Sequence, residues 1–157
     1  MPLAPPSESE PRSDAAGHSN QPLILFDGVC NLCNAAVAWV VERDRSRAFR
    51  FASLQSQAAA RAIEAAGEMS DRALPDSIVL IDSAGVHTRS DAAIRIGRRL
   101  GLPWSLAVVG YLLPRGVRDG VYSWMARNRY RWFGRRDSCM VPTPGVRERF
   151  LDAEEAR

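Results

Sequence analysis

Lysine is absent from this 157-residue chain, so all 21 basic residues are arginine. That removes the Schiff base, the phosphate-loop lysine and the lysine general base from the chemistry open to it. Histidine and cysteine are scarce, with only His18, His87, Cys30, Cys33 and Cys139. Cys30 and Cys33 have metal-ligand spacing, but no second Cys-x-x-Cys exists to complete a closed four-ligand zinc site, so no metal is expected. No apolar run is long enough to span a bilayer. The first residues lack the basic start and apolar core of a secretory signal, so a cytoplasmic location is expected. In a reducing compartment three cysteines do not act as structural staples, which favours a chemical role for the adjacent two.

What is present fits one globular domain: 46% of residues are hydrophobic and 25% charged, enough apolar content for a real core. Residues 1–21 are rich in Pro, Ser, Ala, Glu and Asp without an apolar period, and read as a disordered arm. Net charge is only +3. Arginine nevertheless clusters late, at Arg115, Arg118, Arg127, Arg129, Arg131, Arg135 and Arg136, among Trp124, Tyr130, Trp132 and Phe133. Such a mixture can grip nucleic acid or an acidic partner, but no recognised nucleic-acid module accompanies it, so nucleic-acid binding is not expected.

The body alternates between two periodicities. Leu23–Phe26 reads as a buried strand, and a helix follows from about Cys30 to Arg43 with Val37, Val40 and Val41 on its apolar face. A second strand is predicted over Phe49–Leu54, then an Ala-rich helix from Gln55 to Ala66, closed by Gly67. Ile78–Ile81 and Val86–Arg89 form a hairpin across Asp82-Ser83-Ala84-Gly85. Ser90 or Asp91 is expected to cap a helix ending at Gly101. Pro103 to Pro114 is apolar and reads as core or a docking surface. From Arg115 to Phe133 a helix pattern spaces Val117, Val121, Trp124 and Met125 to meet a core.

Cys30-Asn31-Leu32-Cys33 sits where the first strand passes into the first helix. Thiols at i and i+3 on a first turn share one face, with Cβ atoms about 5–6 Å apart, so a small adjustment closes a disulfide. The unpaired N–H groups of the helix start favour thiolate at Cys30, which makes it the attacking sulfur. Cys33, one turn in and expected to be the more buried, is then the resolving thiol. Gly28, in the turn Asp27-Gly28-Val29, would let a substrate backbone approach. Asp27 has three readings: repulsion that raises a thiol pKa, acceptance of the Cys33 proton, or a cap or turn-stabilising bond. Cys139 is a buried structural thiol or a third redox partner for Cys30.

A parallel strand pair joined by a helix, then a hairpin, then a helix (β-α-β-α-β-β-α) is the order of the thioredoxin-like α/β fold, here with a mostly helical C-terminal extension. The chain resembles the DCC thiol-disulfide oxidoreductases within that fold. The resemblance rests on Asp27-x-x-Cys30-x-x-Cys33, Pro75-Asp76-Ser77, Arg89-Ser90-Asp91-Ala92-Ala93, and the tail from Arg118-Asp119 through Asn128–Gly134 to Cys139–Pro142. It runs from about residue 22 to 151, giving a core near 22–101, an extension near 103–137 and a tail at 152–157. It implies protein-disulfide reduction or exchange, on a disulfide-containing protein or small thiol, with an unidentified electron donor and no cofactor. By position in the resembled fold, Pro75 is a cis-proline shaping the substrate groove.

Two other classes compete with this reading. A non-catalytic module would use its Arg-rich surface to recruit an acidic partner while the thiols merely sense oxidation. Ile24–Val29 also has the look of a haloacid-dehalogenase-like phosphatase opening, but Leu25 stands where that chemistry needs its nucleophilic Asp.

Overall fold

A computed structural model describes residues 21–67, 78–137 and 144–153. The expected arm up to Asn20, Pro75 and Cys139 lie outside the described residues. The element order is β1 (Leu23–Phe26), α1 (Asn31–Arg43), β2 (Arg50–Ser53), α2 (Gln57–Ala65), β3 (Val79–Asp82), β4 (Gly85–Thr88), α3 (Arg89–Arg99), a 3-10 helix (Trp104–Leu112) and α4 (Arg115–Phe133). The sheet order is β2-β1-β3-β4, with β1 parallel to β2 and antiparallel to β3, and β3 antiparallel to β4. This mixed α/β sheet is compatible with the thioredoxin-like fold expected from the sequence.

Strand alternation sends successive side chains to opposite faces. Ile24, Phe26, Phe51 and Leu80 join Val37 and Val40 of α1 and Ala92 and Ile96 of α3 on one face. Leu23, Leu25, Ala52 and Val79 meet Ala59 and Ile63 of α2 on the other. Because both faces are covered, β1 is buried along its whole length, which is why Leu23–Phe26 reads as an unbroken apolar run. After residue 143 the chain returns to the sheet, where Phe150 bridges Phe51 and stacks on it at 5.2 Å.

Two expectations change. Neither Ser90 nor Asp91 caps α3: its N-cap is Thr88, with no side-chain capping bond. The Ser90 hydroxyl instead donates to Asp119 of α4, and Asp91 accepts from Arg95 (3.0 Å) and from the Tyr111 hydroxyl (2.8 Å), so these polar groups tie the extension to the domain. The 3-10 helix lies close on α3, where a Cβ added at Gly97 would stand 3.0 Å from that of Ala107. The second change concerns α4. Val117, Val121 and Trp124 are exposed and form no core, because the opposite side of the helix, carrying Arg129 and Tyr130, turns inward to the carboxylate of Asp27, while Met125, one turn before Arg129, is 40% exposed at the edge of that inward side.

Candidate active site

The backbone after β1 is locked before any thiol is placed. The Cys30 N–H donates to the Asp27 carbonyl (3.2 Å), and the Asn34 amide reaches back from α1 to the Gly28 carbonyl (2.9 Å). Gly28 is buried and its N–H donates to Gln55 (3.3 Å). Both its backbone groups are therefore hydrogen-bonded within the domain.

Cys30 is the N-cap of α1, in extended conformation, and its sulfur accepts the Cys33 N–H at 3.4 Å. A sulfur thus fills the place usually held by a capping oxygen. Asp27 does not cap this helix. Both Cys30 and Cys33 are free thiols.

Their burial reverses one expectation. Cys30 is 0% exposed and Cys33 5%, so the intended attacker is the more enclosed of the two. The cover is the segment following α4. Arg135 bridges Cys30, the Arg136 N–H donates to the Val29 carbonyl (2.7 Å), and Asn31 bonds both the Phe133 carbonyl (2.8 Å) and the Arg136 guanidinium (2.8 Å). Gly134 makes the close pass with φ of 77°, where an added Cβ would come within 3.2 Å of the Asn31 amide. Cys33 meets open space instead: it lines a nearly apolar cavity of about 190 Å³ with Leu32, Ile78, Tyr122, Met125 and Arg129. Larger cavities, of about 510 and 770 Å³, are lined in part by Arg50, at the opposite end of β2 from the dithiol.

Beneath the thiols Asp27 gathers a polar cluster whose other members sequence reasoning did not single out. Asp27 is 2% exposed and accepts from the Val29 N–H (3.2 Å), the Gln55 amide (2.9 Å), Arg129 (3.2 Å) and the Tyr130 hydroxyl. Burial alone would push this carboxyl up, but these donors, Tyr130 foremost, outweigh it and hold Asp27 below the ordinary carboxylate value. Burial first, and then the bond to the same carboxylate, push the Tyr130 phenol up against the pull of Arg129. Cys33 is pushed well above an ordinary thiol, first by burial, then by its hydrogen bond to Cys30 and the negative charges of Cys30 and Asp27; the Arg129 charge pulls the other way. Arg129 and Tyr130 fall inside the Asn128–Gly134 stretch that carried the family resemblance, but no local pattern says that α4 would turn them inward.

Among the described residues no cluster of three or more His, Cys, Asp or Glu side chains is placed to hold a metal. No helix there is long and apolar enough to cross a membrane. Leu25, at the phosphatase position, is fully buried in β1 and leaves Asp27 without a partner carboxylate.

A mixed α/β domain that presents a Cys-x-x-Cys pair at the start of its first helix defines a thioredoxin-like dithiol protein. Residues 24–135 match the family described as DCC1-like thiol-disulfide oxidoreductase, and the chain belongs to that family. It is 46% identical over 129 residues to a Bacillus subtilis (strain 168) protein named "Uncharacterized protein YuxK", covering 82% of this chain and 93% of that one. It is 41% identical over 120 residues to the "DCC family protein At1g52590, chloroplastic" of Arabidopsis thaliana, covering 76% of this chain and 69% of that one. No solved structure matches.

Proposed function

We propose that the protein reduces or exchanges protein disulfides, with Cys30 as nucleophile and Cys33 as resolving thiol. Ionised Cys30 attacks one sulfur of a substrate disulfide; the substrate S–S bond breaks, a Cys30–substrate mixed disulfide forms, and the released thiolate takes up a proton. Cys33 then gives up its proton and attacks the Cys30 sulfur. The second substrate thiolate leaves, and Cys30 and Cys33 end as an intramolecular disulfide. A separate dithiol donor must return two electrons to that pair. No metal or organic cofactor enters, because the electrons remain on sulfur.

The observation that carries this reading is the dithiol at the start of α1, where the Cys33 N–H donates to the Cys30 sulfur at 3.4 Å. A donor aimed at that sulfur stabilises negative charge there, which is what an attacking thiolate and a departing one both require. A thiol held protonated at Cys33 suits a group that waits until the mixed disulfide forms. The apolar cavity beside Cys33 supports a protein substrate, since it has room for a side chain adjoining the scissile disulfide. Asp27 touches neither sulfur by hydrogen bond, so its role is positioning: it holds Arg129 and Tyr130 beneath the dithiol. Pro75, beyond the described residues, keeps its proposed place in the substrate groove.

The test is the redox equilibrium of the pair against glutathione, together with insulin-type disulfide turnover. Wild type should turn over, and Cys30→Ser should lose all activity. A disulfide that forms without turnover would assign the thiols to sensing.

A further inference from the structure

The α4 helix is built inside out. Its inward side carries Arg118, Asp119, Tyr122, Arg129 and Tyr130, whereas Val117, Val121, Trp124 and Trp132 form one outward stripe at helical spacing. The stripe is well exposed, with Val121 at 58% and Trp124 at 55%. The preceding 3-10 segment also exposes apolar side chains, Leu106, Val109 and Leu112, the last at 84%. An apolar surface of this breadth marks an interaction face.

Charge selects the occupant. Arg115, Arg127, Arg131, Arg135 and Arg136 are exposed on α4 and just after it, while Asp119 is taken by Ser90 and Asp137 is the one exposed acid in this stretch. A second copy would bring a cationic surface against its like, whereas anionic lipid headgroups would neutralise it. Trp124 and Trp132 meet edge to face at 4.9 Å on the apolar stripe, with the exposed Arg127 and Arg131 along one flank. Apolar and indole groups with arginine beside them form the pattern of a helix lying in a membrane interface. At 19 residues α4 is about 28 Å long, enough for a shallow, extended footprint.

We infer that α4 and the 3-10 segment dock this protein flat on an anionic lipid bilayer. Docking sets the end of α4, and the Gly134–Arg136 segment covering Cys30, near the headgroups.

The full chain is tested by flotation with vesicles of mixed phosphatidylglycerol and phosphatidylcholine, and with phosphatidylcholine alone. It should float with the mixed vesicles, with tryptophan emission moving to the blue. It should stay in solution with phosphatidylcholine alone, and high salt should release it. The double variant Val117→Asp and Val121→Asp should lower the bound fraction about tenfold or more, with an unchanged melting temperature because both side chains are exposed. Three results would overturn the inference. One is no flotation, with emission already blue in solution. Another is a stable dimer by light scattering that the double variant dissociates. The third is binding to a polyglutamate peptide in place of vesicles, which would assign the face to an acidic protein.

Discussion

Two buried aspartates, Asp44 and Asp27, each hold an arginine from far along the chain, Arg149 and Arg129, 105 and 102 residues downstream. Asp44 also accepts the Ala48 and Phe49 N–H groups (both 3.0 Å), and Arg149 donates in addition to the Phe49 carbonyl (3.1 Å). Every one of these bonds closes the turn between α1 and β2 or fastens the returning C-terminal segment to it. At Asp27 the same device stands beneath a dithiol, and the Nε of Arg129 is buried without a partner. The Arg129 charge is felt at Cys33. One pair fastens the fold, and the other sets the charge around a reactive sulfur.

The largest effect should come from the fastening pair. Arg149→Met leaves Asp44 buried and unpaired, and should cost about 3–5 kcal/mol in urea denaturation, with the reaction of Cys30 in the folded fraction unchanged. Altered thiol chemistry in that variant would erase the distinction between the two pairs. Arg129→Met should cost about 3 kcal/mol, less than its counterpart because it also removes the buried Nε of Arg129 that has no partner. It should also slow mixed-disulfide resolution and move the pH profile of that step upward, since the charge that lowers the Cys33 pKa is gone.

Asp27→Asn sharpens the comparison further. It should cost about 2 kcal/mol, the range of hydrogen bonds to a charged group, without trapping the mixed disulfide, because the negative charge that raises Cys33 is removed. Slow resolution with accumulated adduct would instead make Asp27 the proton acceptor. In wild type the folded carboxyl lies below its ordinary value of 3.8. Its stabilising contribution is therefore complete above about pH 4 and is lost as pH falls through the folded value. The smallest effect concerns the cover over Cys30. Asn31→Ala removes two bonds to it, should cost about 1 kcal/mol, and should speed iodoacetamide capture of Cys30 several-fold.

The strand-turn-dithiol-helix unit was legible in the sequence because each of its signals is local: an unbroken apolar run, a turn with glycine, and thiols at helical spacing. The parallel β1–β2 pair and the β3–β4 hairpin at Asp82–Gly85 were legible for the same reason, whereas the antiparallel pairing of β1 with β3, between strands far apart in the chain, was not. The polar floor of the site was not legible. Arg129 lies 102 residues from Asp27, and an arginine in a helix is ordinarily a solvated residue, so nothing nearby marks it as buried. For the same reason the apolar stripe of α4 reads as core, since spacing reports a face but not what it meets. The cover on Cys30 escaped too, because it depends on a pairing between residue 30 and residue 135.

The most direct measurement is mass-spectrometric mapping of the adduct that Cys33→Ser forms with a disulfide-bonded protein. The expected result is a stable mixed disulfide through Cys30, released by added dithiol. Absence of any adduct, or an adduct confined to Cys139, would contradict attack by the sulfur at the start of α1.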